Sequence, residues 1–539
     1  MIRTLFLLVV LFCALPGAAQ ETFSVTLTER SDLVNAPALH SGAVAEHEGL
    51  WLFVGGRTQN QSGEGGGLHG FGADAFPREY ENGDVIVYDR ATDTRWSASL
   101  DGLPDAIADP LRSTNGQFLA RGDSLIVVGG YGHSEAAGGK ITFGTMTVID
   151  VPGIIGAVMG ARDLAPHIRQ PLADEAMLKV AGGHLVNLAS EPALVGGNRF
   201  DGEYGGAFTQ EYTESVRVLK LDGDDLGGVD EFTDAELHRR DGNAAPMVLD
   251  GGAIGVGIYG GVFHPQTNQA YLKPMMLSTS GVTQEADFEQ HVGHYTSPVL
   301  PMYSLERGEM STVFFGGINA FTWDDASGDW MAVGNPPFIP FTNDIGVVSR
   351  RDGEWSERRL GVRMPLACDS GTRCTTLRGT NAAFFLDPAL AFYADDIVDF
   401  DALPAGETRI GWIVGGIAAG SGSFGQTWAS ERVLEVAVTK TATPSTETGA
   451  PLAFRLGNPV PNPTRTGTRL DLTVDAPEAI RAEVFSVTGR RVAVLHDGSL
   501  APGTHALTWD AAGVAPGLYL VRVTGADGAS ASRQVMLTR

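Results

Sequence analysis

Six apolar runs in this chain end in a pair of glycines, and that recurrence limits the fold more than any other feature. LWLFVGG ends at Gly55-Gly56, and DSLIVVGGYG holds Gly129-Gly130. EPALVGGNRF holds Gly196-Gly197, and AIGVGIYGGVF holds Gly260-Gly261. STVFFGGIN holds Gly316-Gly317, and RIGWIVGGIAAG holds Gly415-Gly416. The runs are rich in Val, Ile, Phe, Tyr and Leu, so each reads as a short strand that its glycines end. A single pair has two readings, a phosphate cradle or a strand-ending turn. A phosphate loop needs a helix start or a Lys-Ser/Thr close behind. After Gly317 the chain runs instead through Ile318-Asn319-Ala320-Phe321 into another extended segment. The first glycines are 74, 67, 64, 56 and 99 residues apart, the size of one four-stranded unit carrying variable loops.

A second half of the unit recurs less regularly. GDVIVYDRATDTRW gives a strand, a turn and Trp96. FTWDDASGDWMAV gives Trp323, a turn at Asp324–Gly328 and Trp330, and IGVVSRRDGEW gives a strand, the Asp352-Gly353 turn and Trp355. Asp-Gly and Ser-Gly pairs suit hairpin turns because they tolerate positive φ. GTMTVIDVPG and ESVRVLKLDGD supply the strand without the Trp. In these residues the chain resembles the kelch family, whose blades have a strand ending in Gly-Gly and a Trp after a later turn. The resemblance implies an all-β chain: a six-bladed kelch-like β-propeller over residues 20–438. FSVTLTE near the start alternates apolar and polar residues. It is expected to pair with RVLEVAV (Arg432–Val438) and close the ring, which removes exposed edges.

The first residues read as a secretory signal peptide over 1–19. Arg3 precedes an apolar stretch from Leu5 to about Leu15, then Pro16, with Gly17 and Ala19 suiting cleavage after Ala19. Cys13 is no lipoprotein site, because bulky Phe12 precedes it. No later stretch reaches the roughly 20 apolar residues that span a bilayer, so no transmembrane segment is expected in the mature chain. The mature chain then keeps Cys368 and Cys374, which flank DSGTR. In an oxidising compartment they suit a disulfide, the alternative being two ligands of a metal site. The formal charge is −26, from 38 basic and 64 acidic residues, which excludes a nucleic acid partner.

TKTATPSTETGAP, over 439–451, is a Thr/Ser/Pro-rich linker. Residues 452–539 hold six short alternating segments: TRLDLTV, AIRAEVFSV, RRVAVL, HALTWD, GLYLVRVT and SRQVMLT. They read as a small immunoglobulin-like β-sandwich. Four features in order carry a second resemblance. Asn458-Pro459-Val460-Pro461-Asn462-Pro463 is an NP-x-NP start, and Val484–Arg490 holds Gly489-Arg490. Val514–Tyr519 holds Gly517 and Tyr519, and a strand ends the chain in a basic residue. This resembles the type A C-terminal sorting domain of the type IX secretion system. It implies export in two steps, with that secretion machinery as a partner and a secreted or surface-attached product. A fibronectin-like binding module is the alternative with the same physics.

Chemistry is less legible. The kelch-like galactose oxidase is a copper enzyme that needs a cysteine crosslinked to tyrosine, which two mutually bonded cysteines do not supply. His291 and His294 in EQHVGHYTS have H-x-x-H spacing but no obvious third ligand, and read as loop histidines. His264 follows the fourth glycine pair and either lines the ring or caps its loop. Asp101-Gly102 and DGDD (Asp222–Asp225) allow structural calcium weakly, without the EF-hand pattern, and no other cofactor is expected. A carboxylate pair for glycoside chemistry stays open among 64 acidic residues. The long loops Arg57–Asp84 and Gly197–Ser215 carry the best functional signal, since loops on one propeller face form binding surfaces. Tyr80, Phe200, Tyr204, Phe208 and Tyr212 are their candidate aromatics for a sugar ring or a protein partner. The leading reading is therefore recognition of protein or glycan outside the cell. The alternatives are a carbohydrate isomerase, lyase or hydrolase at the central opening, as the sialic acid epimerases illustrate, and a structural surface protein.

Overall fold

The computed structural model describes residues 22–58, 75–204, 206–223, 225–333, 339–366, 377–394, 396–420, 427–441, 454–457, 459–462, 464–474, 476–486, 491–525 and 530–538. The signal sequence with Ala19, Cys368, Cys374, Asn458, Pro463, Gly489 and Arg490 lie outside the described residues, as do 59–74 of the first long loop.

Six antiparallel meanders follow one another. The first is Ala43–His47, Leu50–Val54, Asp84–Asp89 and Thr94–Ser99. The second is Gln117–Arg121, Ser124–Val128, Met146–Asp150 and Ile168–Leu172. The third is His184–Leu188, Glu191–Val195, Ser215–Asp222 and Asp225–Thr233. The fourth is Asn243–Val248, Ile254–Tyr259, Met275–Ser278 and Gly281–Gln284. The fifth is Val299–Ser304, Glu309–Ile318, Phe341–Arg351 and Glu354–Arg363. The sixth takes Ala383–Leu386, Gly406–Val414 and Val433–Lys440, and completes itself with Phe23–Glu29 from the other end of the chain. Val25 faces Val438 and Leu27 faces Val436 in that pairing. This is the arrangement of a β-propeller, closed by strands from both ends of the domain as the alternation of FSVTLTE and RVLEVAV leads one to expect.

A backbone circuit shows how the blades close. Just before each first strand lies one of Ser41, Asn115, Gly182, Asp241, Thr296 and Asn381. The Asn115 amide donates to Ser41 at 3.1 Å, Gly182 to Asn115 at 3.1 Å and Asp241 to Gly182 at 2.6 Å. Thr296 donates to Asp241 at 2.7 Å, Asn381 to Thr296 at 2.9 Å and Ser41 to Asn381 at 3.2 Å. The six bonds make a complete ring, so one N–H and one C=O per blade are satisfied around the axis.

The glycine pairs sit at the end of the second strand in all six meanders, each glycine with φ between 57° and 99°. In five blades the amide of the second glycine donates to a carbonyl ahead of the next blade's first strand. Gly56 bonds Ser113, Gly130 bonds Val180, Gly197 bonds Arg239, Gly261 bonds His294 and Gly416 bonds Leu39, at 2.8–2.9 Å. Gly129 illustrates the closeness: a Cβ there falls 2.2 Å from the Val180 carbonyl oxygen. Only glycine combines the left-handed backbone with that approach.

Two features depart from the sequence reading. Phe321–Asp324 and Asp329–Ala332 form a separate hairpin, Trp323 facing Trp330, between the second and third strands of blade 5. The outer half of that blade is instead the Phe341–Arg351 and Glu354–Arg363 pair. Both stretches have a Trp-flanked turn, and only one fits the blade's outer position. Two short helices also interrupt the strands. One is Asp105–Arg112. The other is Val151–Met159, where the Asp150 side chain caps the Gly153 amide and Pro152 sits in the first turn. The long interval before the sixth glycine pair holds that Trp hairpin and a crossover. In the crossover Ile397–Asp399 pairs in parallel with the first strand of blade 5.

The C-terminal region is built separately. Phe454–Leu456, Gly467–Val474 and Gly503–Asp510 form one sheet. Arg491–Leu500, Glu478–Ser486, Gly517–Thr524 and Ser530–Leu537 form the other. Both bury one core around Trp509, Phe454, Leu470, Val484, Val521 and Val535. Tyr519 packs on Trp509 with centroids 4.9 Å apart, and Asn462 accepts the Met536 amide at 2.7 Å. Among the described residues no helix is long and apolar enough to cross a membrane.

Candidate functional site

The connection after each glycine pair rises from the propeller on the face where the pairs lie. In blade 3 this connection is a two-stranded ribbon in which Asn198–Gly202 pairs with Phe208–Tyr212. Side chains alternate along a strand. Phe208, Gln210 and Tyr212 therefore share one face, and cross-strand pairing sets Phe200 opposite Gln210 on that same face. Tyr204, beyond the first strand, folds back to stack on Phe200 at 4.4 Å between centroids. Phe208 stacks on Phe200 from the other side at 4.8 Å and stays 51% exposed.

Blade 4 supplies the opposite wall. Together they enclose a cleft of about 310 Å³ lined by Phe200, Tyr204, Phe208, Tyr212, Arg240 and Phe263, with Gln210, His238 and Asn268 completing it. Four of the five aromatics singled out in the sequence thus converge. Tyr80 does not join them: it ends a short 3₁₀ turn, where its carbonyl accepts the Thr58 amide. Phe76 takes a supporting place instead, 5.0 Å from Tyr204 and edge-on to Tyr131. The ribbon is braced from blade 2, where Tyr131 donates its hydroxyl proton to the Gly202 carbonyl at 2.6 Å and Lys140 pairs with Glu203 at 2.6 Å.

Arg240 is the polar centre of the cleft. Its Nη1 donates to the Tyr204 hydroxyl at 3.0 Å and lies 3.4 Å from an Asp241 carboxylate oxygen, and its guanidinium sits 4.6 Å over Phe263. Its Nε is buried with no hydrogen-bond partner among the described residues. Burial works to lower the guanidinium pKa, but Tyr204 and Asp241 outweigh it and hold the charge firmly. Burial raises the Asp241 carboxyl, while Arg240 and the Tyr295 hydroxyl draw it back. Burial also raises the Tyr212 phenol. Tyr212 stacks on His238 at 3.8 Å, and the His238 ring bonds Glu214 through Nδ1.

Asp241 also belongs to the axial hydrogen-bond ring, so the cleft adjoins the central channel. The channel has a volume of about 580 Å³ and is bounded by the first strands of all six blades, with Glu46, His184 and Asp241 among its polar residues.

The other sequence candidates are held locally. His291 bonds Glu357 at 2.6 Å and stacks on Trp330. His294 is fully buried, with Nε2 donating to the Gln290 carbonyl at 3.1 Å and Nδ1 accepting the Ala320 amide at 3.3 Å. His264 accepts the Gln266 amide and lies against Tyr271. Asp101 pairs with Arg112 at 2.6 Å, and Asp222 faces Asp225 across a hairpin. Among the described residues no three His, Cys, Asp or Glu side chains gather as a metal site.

Arg240 and Asp241 were not singled out in the sequence, although a signal exists. HRRDGN precedes the fourth first strand as HSGA, TNGQ, AGGH and TNAA precede others. The charged pair is the exception within that series.

No family model matches the chain, and no curated protein matches it. Among solved structures, one titled "Structure of YjhT" is similar at 12% identity with a TM-score of 0.39, over 76% of this chain and 99% of that chain.

Proposed function

We propose that this is an exported, kelch-like six-bladed propeller that binds a glycan in the aromatic cleft of blades 3 and 4. One observation carries the reading: Phe200, Tyr204, Phe208 and Tyr212 line one cleft of about 310 Å³ around the Arg240 guanidinium. Flat aromatic faces with a few fixed polar groups suit a pyranose ring, whose C–H face stacks while its hydroxyls hydrogen-bond. A cleft of this size holds one or two sugar units and is too small for a protein surface. The repeated glycine pairs support the kelch reading. The C-terminal motifs support delivery by the type IX secretion machinery, with an immunoglobulin-like sorting domain and a secreted or surface-attached product.

A second reading, a carbohydrate-modifying enzyme, has its own support. Arg240, Asp241 and Tyr295 meet beside the axial channel with displaced titrations. The cleft walls favour binding over catalysis, since the polar groups there are largely paired with one another. The test is a carbohydrate binding screen on the full mature chain, beside variants Tyr204→Ala and Phe208→Ala. Binding that both variants weaken is expected. Turnover of a bound sugar favours the enzyme, and equal binding by all three proteins sinks the cleft as the site.

A further inference from the structure

The cleft's arginine is already paired with a carboxylate, and this bears on which sugars it accepts. Arg240 has Asp241 at 3.4 Å, and the His238 ring is bonded to Glu214. No other basic side chain lines the cleft. The remaining walls are aromatic: Phe200 is buried against Tyr204 and Phe208, Arg240 covers Phe263 and His238 covers Tyr212, so the half-exposed Phe208 ring offers the freest π face, which is electron-rich and attracts C–H groups rather than anions. The chain as a whole carries −26, so its long-range field also opposes an anionic ligand.

We propose that the cleft selects a neutral, unsubstituted pyranose over its uronic acid counterpart, and that Asp241 is the residue responsible. Asp241 sets this selectivity by holding Arg240 as half of a neutral pair, so a sugar carboxylate gains no free charge and meets the Asp241 field. The inference rests on the glycan reading above and adds the charge class of the ligand. Asp241→Asn is a sparing change. Asparagine tolerates the positive φ of 56° at this position. The amide also keeps the shape of the carboxylate, which lies against Gly182.

The experiment is titration calorimetry on the full mature chain at pH 7. The probes are methyl glucoside against methyl glucuronide, and methyl galactoside against methyl galacturonide. In at least one pair the neutral sugar should bind about tenfold or more tightly than its uronide. D241N should shift the uronide-to-neutral affinity ratio about tenfold toward the uronide. Uronide preference by the wild-type protein overturns the inference and leaves the glycan reading standing. The same holds for a D241N protein whose preference is unchanged. If D241N does not fold, the wild-type ratio alone decides. Binding of none of the four probes removes the glycan reading and this inference together.

Discussion

Replacing Gly129 by alanine tests the idea that the glycine pairs are joints between blades. Gly129 has φ 67°, where an L side chain costs about 1–2 kcal/mol. Its new Cβ would lie 2.2 Å from the Val180 carbonyl oxygen and 2.9 Å from that of Leu178. Both atoms are backbone, so relief requires moving the chain that leads into blade 3. That movement strains or breaks the 2.8 Å bond from Gly130 to Val180, worth roughly 1 kcal/mol. Local overpacking adds about 1–2 kcal/mol. Loss of glycine freedom in the unfolded chain offsets roughly 0.5 kcal/mol. The expected net loss is on the order of 3–4 kcal/mol. Gly122 in the same blade is the control. It has φ 55° but no atom within 4 Å of its Cβ position, so Gly122→Ala should cost only about 1 kcal/mol. Urea unfolding followed by tryptophan fluorescence gives both values. Equal midpoints for the two variants would refute the joint and leave only the backbone angle to explain the glycines.

Further outcomes follow from individual residues. Phe208→Ala should weaken glycan binding about tenfold or more while changing unfolding stability by less than about 0.5 kcal/mol, because the ring is half exposed. An equal loss of stability would assign Phe208 to the fold. His294 is held neutral by burial, and secondarily by His291, with its pKa pushed down to about 4 from 6.5. Its folded pKa lies below the unfolded one, so its contribution is complete above pH 6.5 and falls away as pH drops toward 4. The loss is on the order of 3 kcal/mol, since protonation puts a second donor at Nδ1 against the Ala320 amide. Stability measured from pH 7 to 4 should show this slope, and His294→Gln should reduce but not abolish it, because buried His184 is also pushed down to about 4. A chain beginning at Arg30 lacks the strand that completes blade 6 and leaves Val433–Lys440 as an open edge. Size-exclusion chromatography should then find associated material, and a compact monomer would deny that closure matters.

Much of the fold was legible before any coordinates, for local reasons. A strand ending in two glycines announces itself by composition, and six copies announce a repeat. Alternation alone matched the first strand to the last, because both must bury one side against blade 6. The same alternation outlined the strands of the C-terminal region. Helix Val151–Met159 was hidden because its apolar residues continue those of the preceding strand without a break. The two Trp-flanked turns of blade 5 look equivalent in sequence, and the blade has room for only one of them.

The site divides along the same line. The sequence by itself marked Phe200, Tyr204, Phe208 and Tyr212 by composition, as aromatics in a long loop; the ribbon that sets some of them on one face is seen only in the structure. Only the tertiary structure decided that Tyr80 stands apart, that Arg240, His238 and Phe263 complete the cleft, and that Asp241 backs Arg240 from the channel side. Those residues come from the next blade, and their distance from the ribbon depends on how one sheet is rotated against its neighbour. That rotation is set by the axial hydrogen-bond ring and the glycine joints acting together, a sum of contacts between residues about 60 apart that no local pattern encodes.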